Sequence, residues 1–210
     1  MGLISVLMED PAIFIALVVT LIFSLVLHEI AHGYVAYRCG DMTAYHQGRL
    51  TLNPLAHLDP VGSLMILFIG FGWAKPVPVN MLNLKNPDKD MVKVAMAGPA
   101  TNFLLSILGV ILLKIIFIMD IEINSGMRLF FDIFIQINLL LCIFNLLPIP
   151  PLDGSRLLSY ETQYRYQTYG PFFLLGLIIL GNVSNIDVVG SVMSFFLSPF
   201  LELFNYFLNL

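Results

Sequence analysis

The 210-residue chain is poor in charge: Asp, Glu, Lys and Arg make up 11% of it, and no basic cluster with interleaved aromatics occurs. Nucleic acid is therefore not an expected partner. Cysteine is scarce as well, with Cys39 and Cys142 alone, too few for a disulfide framework or a thiolate zinc site. The first 27 residues lack the basic n-region and small-residue cleavage site of a secretory signal, so they read as a retained helix. Repeats, low-complexity tracts and an appended polar domain are missing too, which points to one membrane-embedded domain over residues 1–210. What the chain has in excess is apolar side chain. Hydrophobic residues reach 58% and mean hydropathy is +0.87, values of an integral membrane protein whose partner is the lipid bilayer.

Four long apolar stretches, Pro11 to Tyr37, Val92 to Met119, Met127 to Leu147 and Gly170 to Leu208, can span a bilayer, because a crossing takes about 20 residues. The last is long enough for two crossings and is broken at Gly181-Asn182-Val183-Ser184-Asn185, a cluster that reads as a turn. The sequon Asn182-Val183-Ser184 inside it needs no further explanation. A shorter apolar piece, Val61 to Trp73, carries Gly62, Gly70 and Gly72 and reads as re-entrant or interfacial. The expected fold class is an all-α polytopic membrane protein with five to six transmembrane helices and a re-entrant or short β-like segment around residues 61–80.

Charge supplies the orientation. Arg38, Arg49, Lys75, Lys85, Lys89 and Lys93 lie between the first two long helices, so that region is expected in the cytosol. Basic residues flank Val61 to Trp73 on both sides, as they do when a segment enters and leaves on one face. If it does not span, the chain after Leu147 emerges at the same face as the end of the first long helix.

Three ionisable residues stand within that helix, His28, Glu29 and His32 of the motif HEIAH, where polar side chains are costly. On a helix the four-residue spacing puts both imidazoles on one face, able to share a tetrahedral zinc ion, with Glu29 beside them as candidate general base. A catalytic zinc takes a third protein ligand. Arg38 stands six residues after His32, which rules out the metzincin continuation. Asp153, in NLLPIPPLDG, follows a membrane helix at the depth expected for His28 and is the preferred third ligand. Asp59 and His57 in NPLAHLDP compete with it, Glu161 less so, and Asp153 could instead be a turn residue capping a helix start.

Lys75-Pro76-Val77-Pro78-Val79-Asn80 cannot be an interior helix. Prolines two apart remove the amides along one edge of an extended chain and leave those of Val77 and Val79 on the other. This edge is a candidate for pairing with an unwound substrate segment, and a structural hairpin that plugs the site is the competing reading. His57 is a secondary site candidate.

HEIAH in the first long helix, AGPATN at Ala97 to Asn102 and NLLPIPPLDG at Asn145 to Gly154 together resemble the site-2 protease family, the intramembrane zinc metalloproteases of peptidase family M50. NPLAHLDP and GWAKPVPVN look like its compact bacterial members, with no room for the PDZ or CBS domains some members carry. The resemblance implies one zinc ion held by His28, His32 and Asp153, Glu29 as catalytic acid/base, and Asn102 and Asn145 near the active site, holding substrate backbone. The function expected is hydrolysis of transmembrane segments of other proteins near the cytosolic face of a prokaryotic plasma membrane. A membrane zinc-binding or transport protein and an inactive scaffold of the same fold are the alternatives. No residue specifies a homo-oligomer.

Overall fold

The computed structural model describes residues 2–183 and 188–209. The turn expected at Gly181 to Asn185 runs into residues 184–187 and so lies partly outside them. Described elements are α1 (Leu3–Glu9), α2 (Pro11–Arg38), α3 (Thr43–His46), α4 (Pro60–Ile69), α5 (Pro87–Ile118), α6 (Ser125–Asn145), α7 (Tyr160–Tyr166), α8 (Gly170–Val183) and α9 (Val188–Asn209). Among the described residues, α2, α5, α6 and α9 are long and apolar enough to cross a membrane. The protein is thus the all-α integral membrane fold its composition implies. The further crossing expected in the last apolar stretch rests on α8, whose 14 residues reach about 21 Å.

Local signals set the helix starts. The Asp10 carboxylate accepts from the amides of Ala12 and Ile13, with Pro11 at the first helical position, so α2 begins just after an acidic pair. The helix α5 starts before its apolar stretch because Pro87 and the acidic Asp88 and Asp90 suit a first turn. It packs against both α2 and α6 and forms the centre of the bundle. Near its C-terminal end Val110 and Leu113 pack on Ile135 of α6, with Phe204 and Leu208 of α9 against them.

The segment from 57 to 80 folds back on itself. Asp59 caps α4 through the Gly62 amide at 2.7 Å, and Gly70 ends the helix with φ 83°, a left-handed conformation glycine adopts without strain. The returning chain runs so close that a Cβ on Gly72 would stand 2.0 Å from the Gly62 carbonyl oxygen. An antiparallel bridge joins Leu58 to Ala74, and the Lys75 amide donates to the His57 carbonyl at 2.7 Å. The excursion enters and leaves at one place, which is the re-entrant reading.

Asp41, buried just beyond α2, fastens the far end of this extended chain. Its carboxylate accepts from the Asn80 amide at 2.6 Å, from Asn83 Nδ2 at 3.0 Å, and from the Thr43 hydroxyl and amide. Burial pushes this carboxyl up, but the donors of Thr43, Asn80 and Asn83 outweigh it and hold it below the usual carboxylate range. A carboxyl lowered in the folded state contributes stability above its unfolded value of about 3.9, and this is lost as pH falls through the lowered folded value. In Asp41→Ala, four donors on Thr43, Asn80 and Asn83 lose their acceptor, and because these residues reach solvent the cost is about 0.5–1.5 kcal/mol. Hydrogen exchange over residues 77–83 in detergent is expected to be faster in the variant at neutral pH. Wild type should lose its advantage only in acid, below about pH 4.

Candidate metal centre and active site

HEIAH occupies the C-terminal half of α2, and both imidazoles are buried with their rings edge to face, centroids 4.6 Å apart. The two Nε2 atoms are 3.0 Å apart, and each is 3.1 Å from Asp153 Oδ2. Asp153 opens a 3-10 turn, Asp153–Leu157, soon after α6. Gly154 lets that turn lie on the helix end, since a Cβ there would stand 2.2 Å from the Leu146 carbonyl oxygen. Asp153 meets the HEIAH helix because α5 runs away from the end of α2 that carries His32 and α6 returns to it, while α4, ten residues long, folds back on itself.

The remaining ring nitrogens decide the protonation of the cluster. His32 Nδ1 donates to the Val94 carbonyl oxygen at 2.6 Å, an atom that only accepts, so Nδ1 carries the proton. Val94 belongs to the stretch of α5 where Pro99 removes the amide that would bond the neighbouring Ala95 carbonyl. His28 Nδ1 is 2.6 Å from Asn102 Oδ1. The Asn102 amide cannot be turned round, because its Nδ2 donates to Asn138 Oδ1 at 3.0 Å. Asn138 is fixed in turn by its own Nδ2 donating to the Phe134 carbonyl at 2.9 Å.

Each imidazole, neutral and protonated on Nδ1, therefore aims the lone pair of Nε2 at the other and at a carboxylate oxygen. The Asp153 carboxylate faces the same two nitrogens and completes the cluster as its third donor. Three electron-pair donors this close repel one another unless a cation lies among them. Zinc suits the donor set: bonds of about 2.0–2.1 Å in a tetrahedron place ligand atoms about 3.3 Å apart. Gly98 of α5 keeps the space clear, since a Cβ there would stand 2.4 Å from His32 Nε2 and 2.5 Å from His28 Nε2. Among the described residues, His28, His32 and Asp153 form the group able to hold an ion.

Glu29 lines the same cavity of about 530 Å³ but stands outside the donor group. Its Oε2 accepts from the Val77 amide at 2.7 Å. This corrects the expectation that Val77 offers a free amide: the edge left by the two prolines faces α2, and Val77 is buried against it. Val79 also lines the cavity, and its amide has no protein partner among the described residues. Asn145 lines it too, with Nδ2 donating to the Leu141 carbonyl at 2.9 Å.

Asn102 departs from its expected substrate contact. It is fully buried between α2 and α6 and orients His28 from behind, on the side away from the cavity. His57 is also set apart: its Nε2 donates to the Thr51 carbonyl at 2.9 Å, and it lines neither the cavity nor the donor group. Asp59 is committed to capping α4, and Glu161 pairs with Arg165 at 3.2 Å on α7. Asn138 belongs to the site as well, and an asparagine inside the apolar stretch of α6 is its signal in the sequence.

Apolar helices around a two-imidazole, one-carboxylate donor set define the class, an integral membrane metalloprotease. A family model described as Peptidase family M50 matches residues 114–171, which include Asp153. "Putative zinc metalloprotease YwhC" of Bacillus subtilis is 51% identical over 147 residues, 68% of this chain and 67% of that protein. "Putative zinc metalloprotease Rip2" of Mycolicibacterium smegmatis is 33% identical over 148 residues, 68% of this chain and 55% of its own length. "Zinc metalloprotease MJ0392" of Methanocaldococcus jannaschii is 31% identical over 159 residues, 76% of this chain and 38% of that protein. No solved structure matches the chain. The chain belongs to peptidase family M50, the site-2 protease family, and its cofactor is zinc.

The relay behind His28 yields a test. Asn138→Leu leaves the Asn102 Nδ2 only a long 3.5 Å bond to the Ser24 carbonyl and is expected to weaken zinc binding about 10–100-fold, as loss of a ligand-orienting partner does elsewhere. Gly98→Ala intrudes on the donor atoms themselves and is expected to lower zinc stoichiometry outright. Chelator competition on purified protein measures both, and unchanged affinity in Asn138→Leu would contradict the relay.

Proposed function

We propose that this chain is an intramembrane endopeptidase of the regulated-proteolysis type, cutting transmembrane segments of other proteins near the cytosolic face of a prokaryotic plasma membrane. In this reading His28, His32 and Asp153 hold the zinc ion and Glu29 is the general base and acid. The observation that carries it is the position of Glu29, which shares a cavity with the three donors but is not one of them.

Bound at the three donors, zinc supplies a Lewis acid and lowers the pKa of a water toward roughly 7. Glu29 contributes the proton chemistry. Its Oε2 is held by the Val77 amide, which aims the carboxylate, and Oε1 has no protein partner among the described residues, so it is open to take a proton from water and return it to the leaving amine. The Val79 amide is the one left to pair with an extended substrate, while Asn145 Oδ1 can accept from a substrate N–H. A second cavity, about 520 Å³, shares Leu25, Phe71, Trp73, Leu141 and Phe144 with the first. This apolar passage between α2, α6, α9 and the re-entrant segment suits a hydrophobic peptide arriving from the bilayer. Cytosolic orientation rests on the six basic residues between the first two long helices.

A zinc transporter would need successive metal-binding groups along a path, and among the described residues one group is present. Glu29→Gln separates the readings. Cleavage of a single-span substrate by purified enzyme should fall by about 10²–10⁴-fold with zinc content unchanged. Undiminished cleavage would exclude Glu29 as the base, and loss of zinc in the variant would make it part of the metal site instead.

A further inference from the structure

A third cavity, about 690 Å³, adjoins the catalytic one, and Pro151 and Arg156 line both. Arg156 sits three residues after Asp153 in the same 3-10 turn. Side chains three apart in such a turn eclipse, so the guanidinium leaves the backbone on the side of the Asp153 carboxylate, about 6 Å along the axis. Its single donor contact among the described residues is weak, Nη1 to the Met91 sulfur at 3.6 Å. Among the described residues no carboxylate lies within ion-pair distance, although Asp88 lines the same outer cavity. Arg49, Arg128 and Arg165 each reach oxygen: Arg49 a carbonyl, Arg128 and Arg165 carboxylates. A half-buried guanidinium facing two cavities with only a thioether for company bears an uncompensated desolvation cost, and its planar fork of donors matches a carboxylate.

We infer that Arg156 forms a carboxylate-binding subsite at the mouth between the catalytic cavity and the outer cavity, taking an acidic group of the peptide that passes between them. This rests on the peptidase reading. Two sources share the chemistry: the C-terminal carboxylate formed by cleavage, and an Asp or Glu side chain of the substrate flanking the scissile bond. In the first case, hydrolysis breaks the C–N bond, the carbonyl carbon gains the water oxygen, the nitrogen leaves as amine, and the new carboxylate moves from the donor cluster to Arg156.

The test uses purified, zinc-loaded protein in detergent. One arm measures by fluorescence anisotropy the binding of an uncharged hydrophobic hexapeptide ending in a free acid against the same peptide ending in a carboxamide. The other compares kcat/KM for single-span substrates carrying Glu or Gln beside the scissile bond. The acid is expected to be favoured about tenfold by wild type in at least one arm. That preference should shrink below twofold in Arg156→Gln and survive in part in Arg156→Lys, with zinc content equal in all three. A preference for the free acid in the first arm alone identifies the product carboxylate, and a preference for Glu in the second identifies the side chain. Lack of discrimination by wild type in both arms, or discrimination that persists in Arg156→Gln, overturns the subsite. Because peptide binding needs no turnover, Arg156-dependent acid binding without any cleavage would sink the peptidase reading and leave the subsite standing.

Discussion

The fold is organised around the convergence of His28 Nε2, His32 Nε2 and Asp153 Oδ2 at 3.0–3.1 Å, buried among apolar helices. Such a cluster is unfavourable as bare protein, because every atom in it presents electron density to the others. What makes it specific for a cation is the fixed polarity behind it. The Val94 carbonyl holds one Nδ1 proton, and the Asn102–Asn138 pair, anchored on the Phe134 carbonyl, holds the other. Both metal-facing nitrogens are thereby left without protons.

The surrounding elements follow from keeping that cluster intact and reachable. The central helix α5 supplies Val94, Gly98 and Asn102, so one helix face provides an acceptor, a gap and an orienting amide. The re-entrant segment closes over the other side and carries the Val77 amide to Glu29. Its ends are held by the Leu58 to Ala74 bridge and by the buried Asp41 carboxylate, so the Glu29 carboxylate is oriented by backbone that is itself fastened at two points. The apolar passage and the outer cavity each share lining residues with the cavity that holds the donors.

Much of this was legible in the sequence, for identifiable reasons. The HEIAH spacing is local geometry, and Asp153 followed from counting crossings, because parity fixes which ends share a side. Pro76 and Pro78 announced an extended segment. Contacts that depend on which way a segment is turned were not legible. The Val77 amide meets Glu29 across 48 residues, and nothing in the alternation of valine and proline says that the free edge faces inward. Asn102 was legible as a polar residue that serves either a neighbouring helix or a cavity, and only packing decides between the two. Asn138 and Asp41 carried the signal of a polar side chain within or just beyond an apolar helix, but their roles depend on which neighbours the bundle brings to them.

X-ray absorption at the zinc edge reads the identity of the atoms around the metal directly. Wild type is expected to show two imidazole nitrogens and further oxygen neighbours at about 2.0–2.2 Å, with no sulfur at about 2.3 Å. Asp153→Ala and His32→Ala should each change that shell by losing their own ligand type. A sulfur contribution, or a shell unaltered in both variants, would contradict a site built from His28, His32 and Asp153.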